Sequence, residues 1–350
     1  MGKIILCGDL HFGVKATIPE FVAYQEGELD NLVKHAVENN IKTVCFLGDV
    51  FNDRKNIYVK TIRSLKRKFR EYGETTDINF VIIIGNHDSF FKNTNRVNSP
   101  RELLGDTPQD NIYIIDDDPE EMFYDNTRCL LMPWMTKDSF EENISSLKVS
   151  TAEYCFGHFE IDGFVMNNNN KCKSTLKRSH FKNFKKVFSG HFHTGSSKGN
   201  IIYTGSLCEL DWNDFGIKKG FYTLDTENHD IEFIESKNKI FHKIMVGEKF
   251  KFSSIKDLKD CFLKIYINSK LTTQENVKLG NLISQNISYE LIDNTILNDV
   301  EDIDIGDNED LSDIIMSCVE TQDDIDDDDK KKVIELLNSS YSKMKQEGDK

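Results

Sequence analysis

The sequence predicts an α/β protein whose sheets are covered by helices. Short apolar, β-branched segments alternate with longer helical stretches through the first 235 residues of the 350-residue chain. Such alternation is typical of layered α/β domains. A hydrophobic fraction of 38% with 24 Phe is enough for a substantial core. The length allows one large domain with smaller additions.

The individual elements follow from these segments in chain order. Strands are predicted at 3–7, 42–47, 79–84, 112–115, 129–132, 153–156, 186–188, 200–203 and 220–224. Helices are predicted at 20–39, where Pro19 occupies the first-turn position, and at 57–72, 137–148 and 175–184. Residues 1–239 are therefore expected to form the main domain, with functional groups where strands end.

The rest of the chain has a different pattern. Residues 240–292 contain a strand–helix–strand pattern that predicts a small α+β domain. Residues 293–308 are acidic and poor in aromatic residues, as expected of a linker. Residues 309–350 contain two short amphipathic segments. Their apolar stripes are too small to fold alone, so we expect C-terminal helices that dock on a partner.

Charge and composition exclude some classes of protein. The net charge is −15, but residues 289–329 carry 17 acidic and no basic residues, and the remaining 42 acidic and 44 basic residues nearly balance. The acidic tail therefore does not exclude a nucleic-acid partner. No apolar run approaches the length of a membrane span, and residues 1–20 lack a signal-peptide pattern, so we expect a soluble, cytoplasmic protein with no membrane partner. The eight cysteines form no C-x-x-C pair and favour buried, reduced thiols.

Five short polar motifs each follow a strand-like apolar run. They are Asp9-Leu10-His11, Gly48-Asp49, Gly85-Asn86-His87-Asp88, Gly157-His158 and Gly190-His191-Phe192-His193. A lone histidine at a strand end is usually structural. Five of the nine histidines fall in these motifs, each with Asp or Gly beside them, and such a coincidence indicates one shared site.

The residue types in these motifs suit metal-assisted phosphoester hydrolysis. Phosphodiester cleavage needs charge neutralisation on the non-bridging oxygens and a hydroxide at neutral pH, and two metal ions about 3.5–4 Å apart supply both. Ions this close need an anionic bridge, and Asp49 is the candidate. Carboxylate, amide and imidazole ligands without thiolate favour two divalent ions such as Mn²⁺, with Mg²⁺ as the second option, over a structural zinc site.

The spacing D-x-H, GD, GNHD, GH and GHxH resembles that of the calcineurin-like metallophosphoesterases. Within this superfamily the chain resembles SbcD-type nuclease subunits of DNA double-strand-break repair complexes, and among these the recombination endonuclease subunits of T-even-type phages. The resemblance covers nearly the whole chain, through "GDLHFGVKA", "GDVFNDRK", "IGNHD", "LMPW", "GHFEIDGF" and "SGHFHT". It implies a layered α/β/β/α metallophosphoesterase sandwich, a small capping domain at 240–292 that steers DNA, and C-terminal helices.

The resemblance also implies a role for each motif residue. Asp9, His11 and His193 would bind the first metal ion, Asn86, His158 and His191 the second, and Asp49 would bridge them. His87 would face the scissile phosphate, either stabilising the transition state or protonating the leaving oxygen. Asp88 would either orient His87 or cap the turn. Many cellular relatives have a further His where this chain has Asn52, which argues against a catalytic contribution from that position.

Two basic stretches fit a DNA partner. Residues 54–70 hold eight Lys/Arg, residues 171–186 hold seven, and neither stretch has an acidic residue. The candidate DNA-binding residues are Arg54, Lys55, Lys173, Lys177 and Arg178. A solvated helix face is the alternative interpretation, above all for the first stretch. Trp134 and Trp212 are expected in the core rather than stacked on bases.

The leading hypothesis is a metal-dependent DNA nuclease, an exonuclease or endonuclease that processes ends in double-strand-break repair and recombination. The resemblance implies an SMC-like ABC ATPase partner of the SbcC type, docked on residues 309–350, and a homodimer. ATP hydrolysis would belong to that partner, because the chain has no G-x-x-x-x-G-K-[ST] loop. The alternatives are a small-molecule phosphodiesterase or protein phosphatase with the same metal site, and a non-enzymatic scaffold.

Overall fold

A computed structural model describes residues 2–105, 111–165, 171–247, 255, 258–295 and 331 of the chain. The chain divides into one compact unit, Met1–Ile292, and a second unit, Asp293–Lys350. Most of the predicted linker 293–308, from residue 296 onward, lies outside the described residues. The same holds for the predicted docking segment 309–350, residue 331 excepted.

Strands and helices alternate along the described chain, which confirms the predicted α/β class. The strands are β1 (Lys3–Cys7), β2 (Thr43–Phe46), β3 (Asn79–Ile83), β4 (Ile112–Ile115), β5 (Glu120–Tyr124), β6 (Thr127–Met132), β7 (Tyr154–His158), β8 (Lys186–Gly190), β9 (Ser196–Lys198), β10 (Ile201–Tyr203), β11 (Gly220–Asp225), β12 (Ile231–Glu235), β13 (Phe241–Val246), β14 (Phe262–Ile267) and β15 (Ser288–Asp293). The helices are α1 (Pro19–Glu38), α2 (Val59–Thr75), α3 (Ser99–Leu104), α4 (Phe140–Val149) and α5 (Thr273–Ser284), with 3-10 turns at Arg178–Phe181 and Trp212–Asp214.

Two six-stranded sheets form the main body. The first has the order β12-β11-β1-β2-β3-β4, in which β1 to β4 run parallel. The second has the order β5-β6-β7-β8-β10-β9, in which β6, β7, β8 and β10 run parallel. Because parallel strands end at the same edge of a sheet, the segments that follow neighbouring strands come close together.

The two sheets pack face to face through alternate residues of their strands. In β1, Ile4 and Leu6 belong to an apolar cluster shared with Tyr154 and Phe156 of β7. Ile5 points the other way, into a cluster with buried residues of α1 and α2. Helix α4 covers the outer face of the second sheet in the same manner. Period-two alternation thus produces the α/β/β/α layering that the resemblance implied.

Ion pairs link α1 and α2 on the outer face of the first sheet. Helix α1 begins at Pro19, as predicted. Lys68 Nζ lies 2.6 Å from Asp30 Oδ2, and Arg67 Nη2 lies 2.9 Å from Glu26 Oε2. Two of the eight cations in the basic stretch 54–70 are therefore neutralised by α1. Among the described residues, no helix combines the length and apolarity needed to cross a lipid bilayer.

Residues 240–292 form a third sheet with the order β13-β14-β15, and α5 packs on it through a separate apolar cluster. Strand β13 adds to the predicted strand–helix–strand pattern. Phe21 of α1 shares an apolar cluster with Phe241 and Phe262, and the Trp212 ring centroid lies 4.9 Å from that of Phe241. The domain boundary at 239/240 stays a prediction, because both parts belong to one compact unit.

Several local predictions differ from the structure. The predicted helix 175–184 is wrong, because only Arg178–Phe181 form a 3-10 turn. Just before it, the Leu176 N–H donates to Ser174 Oγ at 3.1 Å, and such side-chain bonds compete with helix formation. Strands β5, β9, β12 and helix α3 were not predicted. Strands β5 and β12 lie at sheet edges with few buried side chains, so their apolar alternation is weak.

Candidate metal centre

The five polar motifs converge where strands of the two sheets end. Asp9 and His11 follow β1, Asp49 follows β2, and Asn86 follows β3, three adjacent strands of the first sheet. From the second sheet, His158 ends β7, and His191 and His193 follow β8. The packing of the two sheets therefore brings residues separated by more than a hundred positions into one site.

Asp9, His11 and His193 form a first group of potential metal ligands, whose ligand atoms all lie within 4.8 Å of one another. The Nε2 atoms of His11 and His193 face each other at 2.9 Å. His11 Nε2 also lies 3.9 Å from Asp9 Oδ1. Three donor atoms that converge in this way, two of them ring nitrogens, fit a shared divalent cation.

Asp49, His158 and His191 form a second group within the same distance limit of 4.8 Å. The side-chain oxygen of Asn86 extends this group, since it lies 3.1 Å from His158 Nε2 and 3.0 Å from His191 Nδ1. The Asn86 oxygen is therefore close enough to this group to serve as its fourth ligand.

Asp49 lies between the two groups. Its Oδ2 atom is 3.3 Å from His158 Nε2 of the second group and 3.7 Å from His11 Nε2 of the first. Its other oxygen accepts the main-chain N–H of His87 at 2.8 Å. One carboxylate oxygen is therefore close to ligands of both groups, which is the arrangement that a bridging ligand needs.

The protonation states in the site suit metal binding. Burial lowers the pKa of His11 and of His191 to about 3, so both rings are neutral near pH 7. Burial would raise the pKa of Asp49, but the neighbouring His158 and His11 outweigh it and hold that pKa below its usual range. Burial would lower the pKa of His158, yet Asp49 raises it to about 9. A cation at this carboxylate would compete with that proton.

Several ligands have main-chain conformations that side chains seldom adopt. His11, Asp49 and His191 have φ angles of 46°, 53° and 87°. Left-handed conformations of non-glycine residues are strained and cluster at functional sites. Their concentration in three proposed ligands, which follow three different strands, indicates that packing holds these residues in place for a purpose other than stability.

Two glycines of the motifs are required by close approach. A Cβ atom at Gly48, where φ is +98°, would lie 2.3 Å from His158 Nδ1. A Cβ atom at Gly85 would lie 2.2 Å from Asp49 Oδ1. No larger residue fits either position, so Gly48 allows the close approach of the two sheets and Gly85 that of the loops after β2 and β3.

Hydrogen bonds to the main chain fix the orientation of the ligands. His158 Nδ1 lies 2.7 Å from the carbonyl oxygen of Leu47, so it carries the proton and leaves Nε2 toward the site. The main-chain N–H of His191 donates to both oxygens of Asp9, at 3.0 and 3.1 Å. Hydrogen-bonding partners of this kind hold metal ligands in the orientation that binding requires.

The side chains of His87 and Asp88 both form hydrogen bonds with main-chain groups. His87 is half-buried, and its Nδ1 lies 2.7 Å from the main-chain oxygen of Asn52. Asp88 is fully buried and accepts the N–H groups of Gly85 and Phe51 at 2.9 and 3.1 Å. The carboxylate therefore caps the turn. The interpretation in which it orients His87 is corrected, because the Asn52 carbonyl occupies that place.

The five candidate DNA-binding residues differ in exposure. Arg54 is half-buried, and its Nη2 donates to the main-chain oxygen of Asn86 at 2.6 Å. Its guanidinium thus helps to hold the loop that carries this amide. The other four, Lys55, Lys173, Lys177 and Arg178, are exposed. A cleft of about 780 Å³ is lined by Lys55, Lys15 and Asn52 among others, and the main-chain oxygen of Asn52 is the partner of His87 Nδ1.

Trp134 is a residue of the site that sequence reasoning missed. Its ring centroid lies 5.3 Å from that of His191 and 5.8 Å from that of His158. The indole is half-buried and lines, with His158, a small pocket of about 120 Å³, so the expected core position is wrong. A signal was present, because "LMPW" ends just after β6, the neighbour of β7, as the ligand motifs follow their own strands.

Comparison with known proteins defines the class. Residues 2–195 match the family described as calcineurin-like phosphoesterase. This span is more than half of the chain and contains every proposed metal ligand. The chain belongs to the calcineurin-like phosphoesterase family, whose members hydrolyse phosphoester bonds with divalent metal ions. The two groups of His and Asp side chains are where this chain could hold such ions.

Within the family, one relative is similar over almost its full length. The chain is 30% identical over 345 residues to exonuclease subunit 1 of Enterobacteria phage T4, which is 97% of this chain and 98% of the relative. The resemblance to SbcD-type nuclease subunits, predicted from the motifs, is thereby confirmed.

Two solved structures show a weaker likeness. An archaeal phosphodiesterase has a TM-score of 0.35 at 15% identity, over 67% of this chain and 99% of that one. A dimetal phosphatase from Danio rerio has a TM-score of 0.39 at 14% identity, over 63% and 91%. Scores at this level support no conclusion about function.

Proposed function

We propose that the chain is a metal-dependent DNA nuclease that processes DNA ends in double-strand-break repair and recombination. The observation that carries this proposal is the convergence of two ligand groups on Asp49, with Oδ2 3.3 Å from His158 Nε2 and 3.7 Å from His11 Nε2. The similarity to a phage exonuclease subunit along nearly the full length of both chains supports DNA as the substrate.

The proposed ligands are those named from the motifs. Asp9, His11 and His193 would hold the first ion, Asn86, His158 and His191 would hold the second, and Asp49 would contact both. We propose Mn²⁺ for both sites, with Mg²⁺ as the alternative. Such a pair, when bound, neutralises phosphate charge and lowers the pKa of water. The neutral rings of His11 and His191 support their assignment as metal ligands, because a ring nitrogen must be unprotonated to bind a metal ion.

His87 is the proposed proton donor to the leaving oxygen. A carbonyl can only accept, so the 2.7 Å contact with the Asn52 oxygen places a proton on Nδ1. Nε2 is then free to hold the proton that passes to the leaving oxygen of the cut strand. The main-chain N–H of the same residue donates to Asp49 at 2.8 Å, which ties the position of the ring to the position of the bridge.

DNA would be held by phosphate contacts around this centre. Lys55, Lys173, Lys177 and Arg178 are exposed, and Lys55 lines the cleft that also contains Asn52, the hydrogen-bond partner of His87. Sequence-independent phosphate contacts of this kind suit an enzyme that works at any DNA end. A contact by Arg54 is proposed with them, although its guanidinium also supports the Asn86 loop.

The biological setting is proposed from the family resemblance. The chain would act with an SMC-like ABC ATPase, which docks on residues 309–350, and would form a homodimer. Its relative is named as one subunit of an exonuclease, which supports a multi-subunit assembly. The proposed location is the cytoplasm, that of the host cell if the chain is phage-encoded.

Digestion of end-labelled linear duplex DNA tests the proposed function. Purified protein with Mn²⁺ or Mg²⁺ should shorten the duplex, with and without the ATPase. Asp49→Asn should abolish this cleavage, whereas the matched control Asp77→Asn, at an 89% exposed carboxylate, should retain it. Hydrolysis of bis(p-nitrophenyl) phosphate without any DNA cleavage would instead favour a small-molecule phosphodiesterase. No hydrolysis of either substrate would favour a non-enzymatic scaffold.

A further inference from the structure

A buried ion pair lies next to the first group of ligands. Lys219 Nζ is 2.5 Å from Asp214 Oδ1, and the two side chains are 0% and 3% exposed. Asp214 is itself fixed, because its other oxygen accepts the main-chain N–H of Leu210 at 2.8 Å. Neither residue belongs to a motif that follows a strand, and neither has a place in the proposed chemistry.

The ammonium group of Lys219 has a second partner that connects it with the metal centre. It donates to the main-chain oxygen of His193 at 2.7 Å. The N–H of Ser206 donates to the same oxygen at 3.1 Å. The main chain of His193 is thus held from two directions, and its ring places Nε2 2.9 Å from the Nε2 of His11.

Stability alone is a poor reason for this arrangement. Burying two charges costs desolvation energy, and a pair of apolar side chains of similar size often replaces a buried ion pair without loss of stability. An apolar side chain would fill the space of Lys219, but it would leave the His193 carbonyl with one donor fewer. The charged pair therefore supplies what apolar packing cannot supply: a hydrogen-bond donor, held in place by Asp214, for the main-chain oxygen of the proposed ligand His193.

We propose that Lys219 is a positioning residue for His193, with Asp214 holding its ammonium group in place. The pair sets the orientation of the His193 ring and so the affinity of the first metal site. Hydrogen-bonding partners behind a metal ligand typically contribute about 10–100-fold to metal affinity. This inference rests on the proposed function, because it requires that His193 binds a metal ion together with Asp9 and His11.

The test is the double substitution Lys219→Met with Asp214→Asn. It removes the donor and both charges, and the Asn side chain keeps an oxygen for the Leu210 N–H, so no charge is left buried alone. The control is Lys68→Met with Asp30→Asn, which removes a less deeply buried ion pair of 2.6 Å between α1 and α2 and touches no proposed ligand. Mn²⁺ binding to the full-length proteins is followed by calorimetry, and spin coupling of the two ions by electron paramagnetic resonance.

The expected result is selective. The wild type and the control should bind two Mn²⁺ per chain, whereas the Lys219/Asp214 variant should bind one of them about 10–100-fold more weakly and lose the spin-coupled signal at limiting Mn²⁺. Thermal unfolding of the metal-free variant should match that of the control. Unchanged affinity at both sites, or an equal loss at both with a less stable metal-free protein, would overturn the inference. Failure of the wild type to bind two ions would instead overturn the proposed function.

Discussion

Replacing His87 by Ser should separate catalysis from metal binding. The substitution removes the ring and its 2.7 Å contact with the Asn52 oxygen. It keeps the main-chain N–H that donates to Asp49 at 2.8 Å, because every residue except proline has this donor. The bridging carboxylate therefore keeps its support, and His87 belongs to neither group of metal ligands.

The size of the effect follows from the role assigned to the ring. A positioned general acid contributes about 10²–10⁴-fold to the rate of a proton-transfer step. At about 1.36 kcal/mol for each factor of ten, this loss corresponds to about 2.7–5.4 kcal/mol of transition-state stabilisation. The serine hydroxyl is too short to reach the position of the imidazole Nε2, so it cannot replace the ring. Mn²⁺ affinity should stay as in the wild type.

Single-turnover cleavage of end-labelled duplex DNA at saturating Mn²⁺ measures the first quantity, and calorimetric titration with Mn²⁺ measures the second. A rate reduced by less than about tenfold would show that His87 is not a general acid. Loss of one Mn²⁺ site would show that the ring is a ligand, and the assignment of roles in the site would then be wrong.

Three further predictions concern the glycine contact, the DNA surface and the tail. Gly48→Ala should abolish Mn²⁺ binding, because its Cβ would lie 2.3 Å from His158 Nδ1 at a φ of +98°; a normal Mn²⁺ titration would refute the close approach of the two sheets. Lys173→Gln and Lys177→Gln should each reduce the slope of log K for DNA against log salt concentration by about 0.9 and leave hydrolysis of bis(p-nitrophenyl) phosphate unchanged; an unaltered slope would remove that lysine from the DNA surface. Deletion of residues 309–350 should preserve Mn²⁺-dependent cleavage of single strands while abolishing co-purification with the ATPase, and an intact complex would rule out this docking segment.

The proposed metal ligands could be predicted from the sequence because each lies at the end of a buried strand or within a few residues after it. A buried strand is a short apolar run, and the polar residue that ends it is visible without any tertiary information. Asp49 after β2 and His158 at the end of β7 are examples. Parallel order then brings such residues to one edge, so the local pattern alone contained most of the site.

The supporting residues could not be predicted in this way, because their roles depend on contacts between distant segments. The Asn52 carbonyl contacts His87 across 35 positions. Because every residue has a main-chain carbonyl, the residue type at position 52 gives no indication of this contact. Lys219 reaches the His193 carbonyl across 26 positions from a segment with no motif. Trp134 follows β6 as the ligand motifs follow their own strands, but the sequence does not show that β6 pairs with β7 and so brings the indole near His191.

The most direct test is a crystal structure of the protein soaked in Mn²⁺, with anomalous scattering recorded at the manganese edge. Two peaks about 3.5–4 Å apart should appear on either side of Asp49. One should be bound by Asp9, His11 and His193, and the other by Asn86, His158 and His191. A single peak, or two peaks that do not share Asp49, would contradict the two-metal site.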